Sequence, residues 1–205
     1  YGQILDNYFL NDDFGRILAL QELQNSPVGD AFIALFMNSY HGAYYRPFTN
    51  ISFYLLRTFS GLEAWAYYLS SLLLHVLAAT CLYACLERLR KYADLGSPLW
   101  CFVVPVFLFL INPRHVESVS YIHDNENIIC GLFFFLGFYG FAGYCTRQKT
   151  TDLFIFSLCY LCSLLGKEMG VTLPLVCIAY YAILIWSQNA GEKKTIYKDP
   201  ILVKT

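Results

Sequence analysis

The sequence predicts an all-α polytopic membrane protein, a helical bundle preceded by a more polar first segment. Apolar residues make up 57% of the 205-residue chain against 14% charged, and the mean hydropathy is +0.45, a balance whose apolar surface a soluble domain of this size could not cover. Long apolar runs recur from residue 64 onward, and the first of them, 64–86, carries no ionisable group that would interrupt it except His75. Clusters rich in Lys and Arg close alternate runs at 88–91, 147–149 and 193–194, where membrane helices place their cytoplasmic anchors.

Residues 1–60 interleave Asn, Asp, Pro and Tyr with short apolar clusters and read as an extracytoplasmic or lumenal first loop with interfacial helices. Helical spacing of apolar residues predicts one helix over Phe14 to Leu23 and another over Thr49 to Phe59, the latter entered through Pro47, a residue suited to a first helical turn. The run 64–86 is long enough to cross a hydrocarbon core of about 30 Å at about 1.5 Å per residue. The run 99–111 gives only about 20 Å by the same rise, so it must be continued or end at depth. A polar stretch, 112–127, separates it from the apolar run 128–145; 153–165 is short again and stops at Gly166-Lys167-Glu168, and 171–186 carries Pro174 near its start. These runs give about five membrane helices within a membrane domain spanning 61–190, followed by a truncated cytoplasmic segment, 191–205.

Five alternating helices and the Lys/Arg bias group the same loops together. Residues 1–60, 112–127 and 166–170 are therefore expected on the side opposite the basic clusters. The chain begins at Tyr1 with no basic n-region or cleavage motif, and both ends read as cuts through a larger protein, with an orientation-setting helix expected before Tyr1.

A net charge of −1 supplies no basic field for nucleic acid. Most of the eight cysteines fall inside or beside apolar runs and read as small buried hydrophobes. Cys159 and Cys162 form a C-x-x-C without a second pair or a histidine partner, and the chain has no His-Glu-x-x-His spacing, so no metal site is predicted.

The polar motifs allow two readings each. In Asn11-Asp12-Asp13-Phe14 an acidic residue can cap the following helix, or the adjacent carboxylates can raise one pKa toward general-base use. Arg46, set among Tyr44, Tyr45 and Phe48, suits either interfacial snorkelling or bidentate phosphate binding. Asn50-Ile51-Ser52 matches a glycosylation sequon inside an apolar helical pattern, which argues against an accessible acceptor. In 112–127, Glu117, Tyr121 and Asp124 fall on one predicted helical face, with His115 and His123 adding titratable groups beside the membrane, where such groups are costly unless they face a watery cavity. Lys167 and Glu168 are either an exposed turn or buried charges that need partners.

The order of motifs, Asp12-Asp13, then Tyr45-Arg46-Pro47-Phe48-Thr49, then 71–75 (SLLLH), then 112–119 (NPRHVESV), then 166–174 (GKEMGVTLP), resembles the transmembrane and tetratricopeptide-repeat O-mannosyltransferases of the GT-C glycosyltransferase class. The resemblance covers nearly the whole chain. It implies a GT-C-type bundle and an inverting transfer of a sugar, typically mannose, from a dolichyl or polyprenyl phosphate to a protein Ser or Thr hydroxyl on the lumenal side. It also implies a catalytic base at Asp12 or Asp13, with Asp12 preferred, while Arg46, Arg114 and Lys167 are the candidates for donor-phosphate contact and His115, Glu117, Asp124 and Glu168 for shaping the site. The implied partners are the lipid-phosphate sugar, an acceptor protein and the bilayer, with no tightly bound cofactor. Relatives carry arginine where this chain has Asn125, and no tetratricopeptide repeat occurs in the 205 residues. Richness in cysteine and tyrosine leans toward the endoplasmic reticulum membrane over a bacterial cytoplasmic membrane. The alternative reading is a transporter or channel fragment whose polar path is lined by Glu117, Asp124 and Lys167, with Pro174 in a broken helix.

Overall fold

A computed structural model describes residues 2–10, 12–37, 45–92 and 98–189; the expected cytoplasmic segment 191–205 lies outside the described residues. All regular structure among them is helical. The first loop contains α1 (Asp12–Gln24), α2 (Val28–Met37) and α3 (Pro47–Ser60). The bundle consists of α4 (Ala64–Tyr92), α5 (Trp100–Ile111), α6 (Pro113–Ser120), α7 (Asn125–Arg147), α8 (Thr150–Gly166) and α9 (Leu173–Asn189), with 3-10 turns at Ile122–Asp124 and Glu168–Thr172.

Each expected apolar run is helical, and the expected first-loop helices correspond to α1 and α3. The sequence reading missed α2, which follows Pro27 and is apolar on opposite sides: Ala31 and Leu35 are buried while Phe32, Ile33 and Met37 are exposed. Three helical stretches are long and apolar enough to cross a membrane, Ala64–Arg90, Ile122–Arg147 and Glu168–Trp186. The short run 99–111 is α5, which turns by 51° into α6 and forms with it one bent pair, while α8 remains a shorter apolar helix.

The bend has a local cause. Asn112 is extended (φ −62°, ψ 124°) and its side chain accepts from the Arg114 N–H, so it caps α6, whose first position is Pro113. The extended backbone of Tyr121 (φ −118°, ψ 107°) ends α6 after Ser120. This corrects the expected single helical face for Glu117, Tyr121 and Asp124: Glu117 lies on α6, and Asp124 ends the separate 3-10 turn.

Helix α7 is central and packs against α4, α8 and α9. Its contact with α8 is close because Gly140 and Gly143 face that helix. A Cβ on Gly140 would stand 2.7 Å from the Phe156 backbone nitrogen and 2.9 Å from the Asp152 carbonyl oxygen. Small residues at such a seam let membrane helices approach until their backbones touch. At the far end of the seam the Arg88 guanidinium lies 3.8 Å from the Asp152 carboxylate, in the space a side chain at position 143 would fill.

The first loop is fixed to the heads of α4 and α7 by a core of Ile4, Leu20, Leu35, Phe53, Tyr67, Tyr68, Val119, Ile122 and Ile128. Fully burying an aromatic or aliphatic side chain contributes about 1.5–3 kcal/mol, and Phe53, Tyr67, Tyr68, Val119 and Ile122 are all fully buried. The loop is thereby held as a cap on one end of the bundle.

Candidate active site

The cap brings together charges from four separate parts of the chain. Glu126, in the first turn of α7, is buried and accepts from the Arg46 Nη1 that precedes α3. It also lies 3.1 Å from the Lys167 Nζ at the end of α8 and 3.7 Å from the Arg16 Nη2 of α1. Lys167 donates in addition to the Asn127 Oδ1 at 2.7 Å. Arg46 turns its fork outward as well, donating from Nη2 and Nε to the two oxygens of Glu168 at 2.7 and 3.2 Å. A carboxylate so deeply buried would be prohibitive alone, and three cations around it supply the compensation.

Three cations, Arg16, Arg46 and Lys167, thus meet two carboxylates, Glu126 and Glu168, and the ion-paired set carries a net +1. Burial works against the charge of Arg46, but the hydrogen bonds and charges of Glu168 and Glu126 outweigh it and raise its pKa. The Arg16 guanidinium lies 4.7 Å from the ring centre of Phe53 and donates to the His123 carbonyl. The Thr49 hydroxyl donates to the Gly166 carbonyl at 3.2 Å and ties α3 to the end of α8.

Asp13 sits one helical turn from Arg16 and is fully buried. Its two oxygens accept backbone N–H groups from Leu10 at 2.9 Å and His123 at 2.8 Å, joining the start of α1 to the turn before α7. Burial raises its pKa above the ordinary aspartate value, against the lowering effect of those two N–H groups and of the nearby His123 and Arg16. Asp12 is the first residue of α1, and its side chain lies outside the described residues.

The remaining expected residues lie outside this ion-paired set. Arg114 and Glu117 are exposed on α6. His115 packs against Phe109 with ring centres 4.4 Å apart, and Phe109 in turn stacks on His75 of α4. Asp124 is half-buried within electrostatic reach of Lys167, Glu126 and Glu117. No group of three or more His, Cys, Asp or Glu side chains among the described residues could hold a metal ion. Sequence reasoning missed Arg16 and Glu126 altogether. The available signal was their position: a lone arginine among the apolar residues of α1, and a carboxylate opening an apolar run, each need a buried partner.

Comparison with known proteins places the chain. It is 33% identical over 161 residues to human protein O-mannosyl-transferase TMTC2, a match that covers 75% of this chain and 18% of that protein. This chain belongs to the TMTC family. The Xenopus laevis TMTC2 is 36% identical over 141 residues, covering 66% of this chain and 16% of its own length. The Drosophila melanogaster TMTC3 is 27% identical over 204 residues, covering 88% of this chain and 20% of its own length. The TMTC-family chain described here therefore spans about a fifth of the length of these curated relatives. No protein-family model matches it, and no solved structure matches it.

Proposed function

We propose that this chain forms part of the catalytic core of a GT-C-type glycosyltransferase that moves a sugar, mannose by family resemblance, from a dolichyl or polyprenyl phosphate to a Ser or Thr hydroxyl of a protein. The observation that carries the reading is the gathering of Arg16, Arg46 and Lys167 around a buried glutamate at the end of the bundle that the first loop caps. Such a cationic cluster at a membrane surface suits the charge that develops on a phosphate leaving group. The names of the curated relatives support a protein-directed mannosyl transfer.

In the proposed step the acceptor hydroxyl oxygen bonds to the anomeric carbon of the sugar while the bond from that carbon to the phosphate oxygen breaks. The electron pair leaves on the lipid phosphate, and the hydroxyl proton passes to a carboxylate. Both oxygens of Asp13 are engaged by backbone N–H groups, which favours Asp12 as that base and Asp13 as its anchor. The Lys/Arg bias supports a lumenal site, with the endoplasmic reticulum as the proposed membrane.

Substituting Asp12→Asn in the full-length protein is expected to abolish sugar transfer to acceptor protein while leaving its membrane insertion and thermal stability unchanged. Full transfer by that variant removes Asp12 as the base, and vesicle flux that depends on Glu117 replaces transfer with transport.

A further inference from the structure

The two carboxylates on Arg46 stand in different surroundings. The Glu126 side chain is 3% exposed and is shared with Arg16 and Lys167, whereas the Glu168 side chain is 62% exposed and meets Arg46 from the solvent side. Glu168 accepts two nearly parallel N–H groups from one guanidinium. A phosphate presents a pair of oxygens to arginine in the same forked geometry, so the two anions compete for one position.

We propose that Glu168 is the resting occupant of the donor-phosphate subsite, covering the outer edge of Arg46 until the phosphate of the lipid-linked sugar displaces it. This inference rests on the donor-phosphate reading given above and adds a residue that sets donor affinity. Three observations favour exchange. Glu168 is the solvent-facing partner of the pair, 62% exposed against 8% for Arg46, so water can take over its hydrogen bonds when it swings away. The turn that carries Glu168 is held by close packing of Gly170, where a Cβ would lie 2.8 Å from the Ser163 carbonyl carbon; the glutamate therefore leaves by side-chain rotation while the backbone stays. Removing its charge from the ion-paired set leaves Arg16, Arg46 and Lys167 against Glu126 alone, a change from net +1 to net +2 that suits an incoming phosphate. Glu168 acts through Arg46 and is a positioning residue.

The test is equilibrium binding of a short-chain polyprenyl monophosphate to the full-length protein in detergent, comparing the wild type with Glu168→Gln, Glu168→Ala and Arg46→Gln, together with donor KM and kcat. Both Glu168 variants are expected to bind the probe about two- to fivefold more tightly, the scale of losing one competing ion pair with a solvent-facing partner. Donor KM is expected to fall by a similar factor with kcat not raised, and Arg46→Gln is expected to lose binding. Unchanged or weaker binding by both Glu168 variants, with loss in Arg46→Gln, overturns the proposal and leaves the donor reading intact. Absence of binding by the wild type and both Glu168 variants overturns the donor reading and this inference together.

Discussion

Asp13 shows how a single carboxylate can serve the fold beside a buried cluster of charges. It is buried, and each of its oxygens accepts a backbone N–H, one from its own helix start and one from His123 across the cap. Burial makes its charge costly and raises its pKa, so the folded protein holds the proton to a higher pH than the unfolded chain does. The folded state then binds more protons between the ordinary aspartate value of 3.8 and the raised one, and stability falls as pH rises through that window. Asp13→Asn has no proton to lose. The stability advantage of wild type over this variant, measured by thermal unfolding in detergent across acidic pH, is expected to shrink as pH rises; an advantage that grows with pH would contradict the assignment. The adjacent acids were legible in the sequence, as were Arg46, Lys167 and Glu168, because charges beside apolar runs are conspicuous. Glu126 was not, since its meaning depends on three cations up to 110 positions away in sequence (Arg16 to Glu126), and no local spacing relates them.

At the scale of elements, hydropathy located the helices of the bundle and misjudged some of their ends. Helix α4 runs on to Tyr92, past the expected end at 86, because Glu87 and Arg90 form an i, i+3 pair at 2.7 Å and belong to good helix formers. Helix α7 begins at Asn125, before its apolar run at 128, because Glu126 and Asn127 in its polar first turn find partners on other elements. Hydropathy sees neither case, since it scores a residue without its neighbours. Side-chain hydrophobicity is also blind to the α7–α8 seam, whose closeness depends on what Gly140 lacks. Gly140→Ala places a methyl against backbone atoms of α8, and is expected to destabilise the protein by about 1–3 kcal/mol, the usual cost of overpacking. A melting temperature equal to that of the wild type would show that the helices can part without penalty.

The whole molecule has two charged ends. The cap gathers Arg16, Arg46, Glu126, Lys167 and Glu168, and the other end gathers Arg88, Arg147 and Asp152. In membrane vesicles of one orientation, an impermeant thiol reagent is expected to label Met169→Cys from one side and Lys149→Cys only from the other, read against the unsubstituted chain. Labelling of both from the same side would overturn the two-ended arrangement. The distal end has a further bearing, on how the helices come to pair. Helices α7 and α8 are joined by Gln148, in the left-handed region at φ 53°, and Lys149. Directly across this turn Arg147 forks onto Asp152, with Nε donating at 3.1 Å. During synthesis these two helices leave the ribosome in succession, and the hairpin is the first unit in which the Asp152 charge is neutralised and the glycine seam is closed. Helix α8, the shorter apolar arm, thus takes its place in the bundle as the second half of a pair, with α7 as its template.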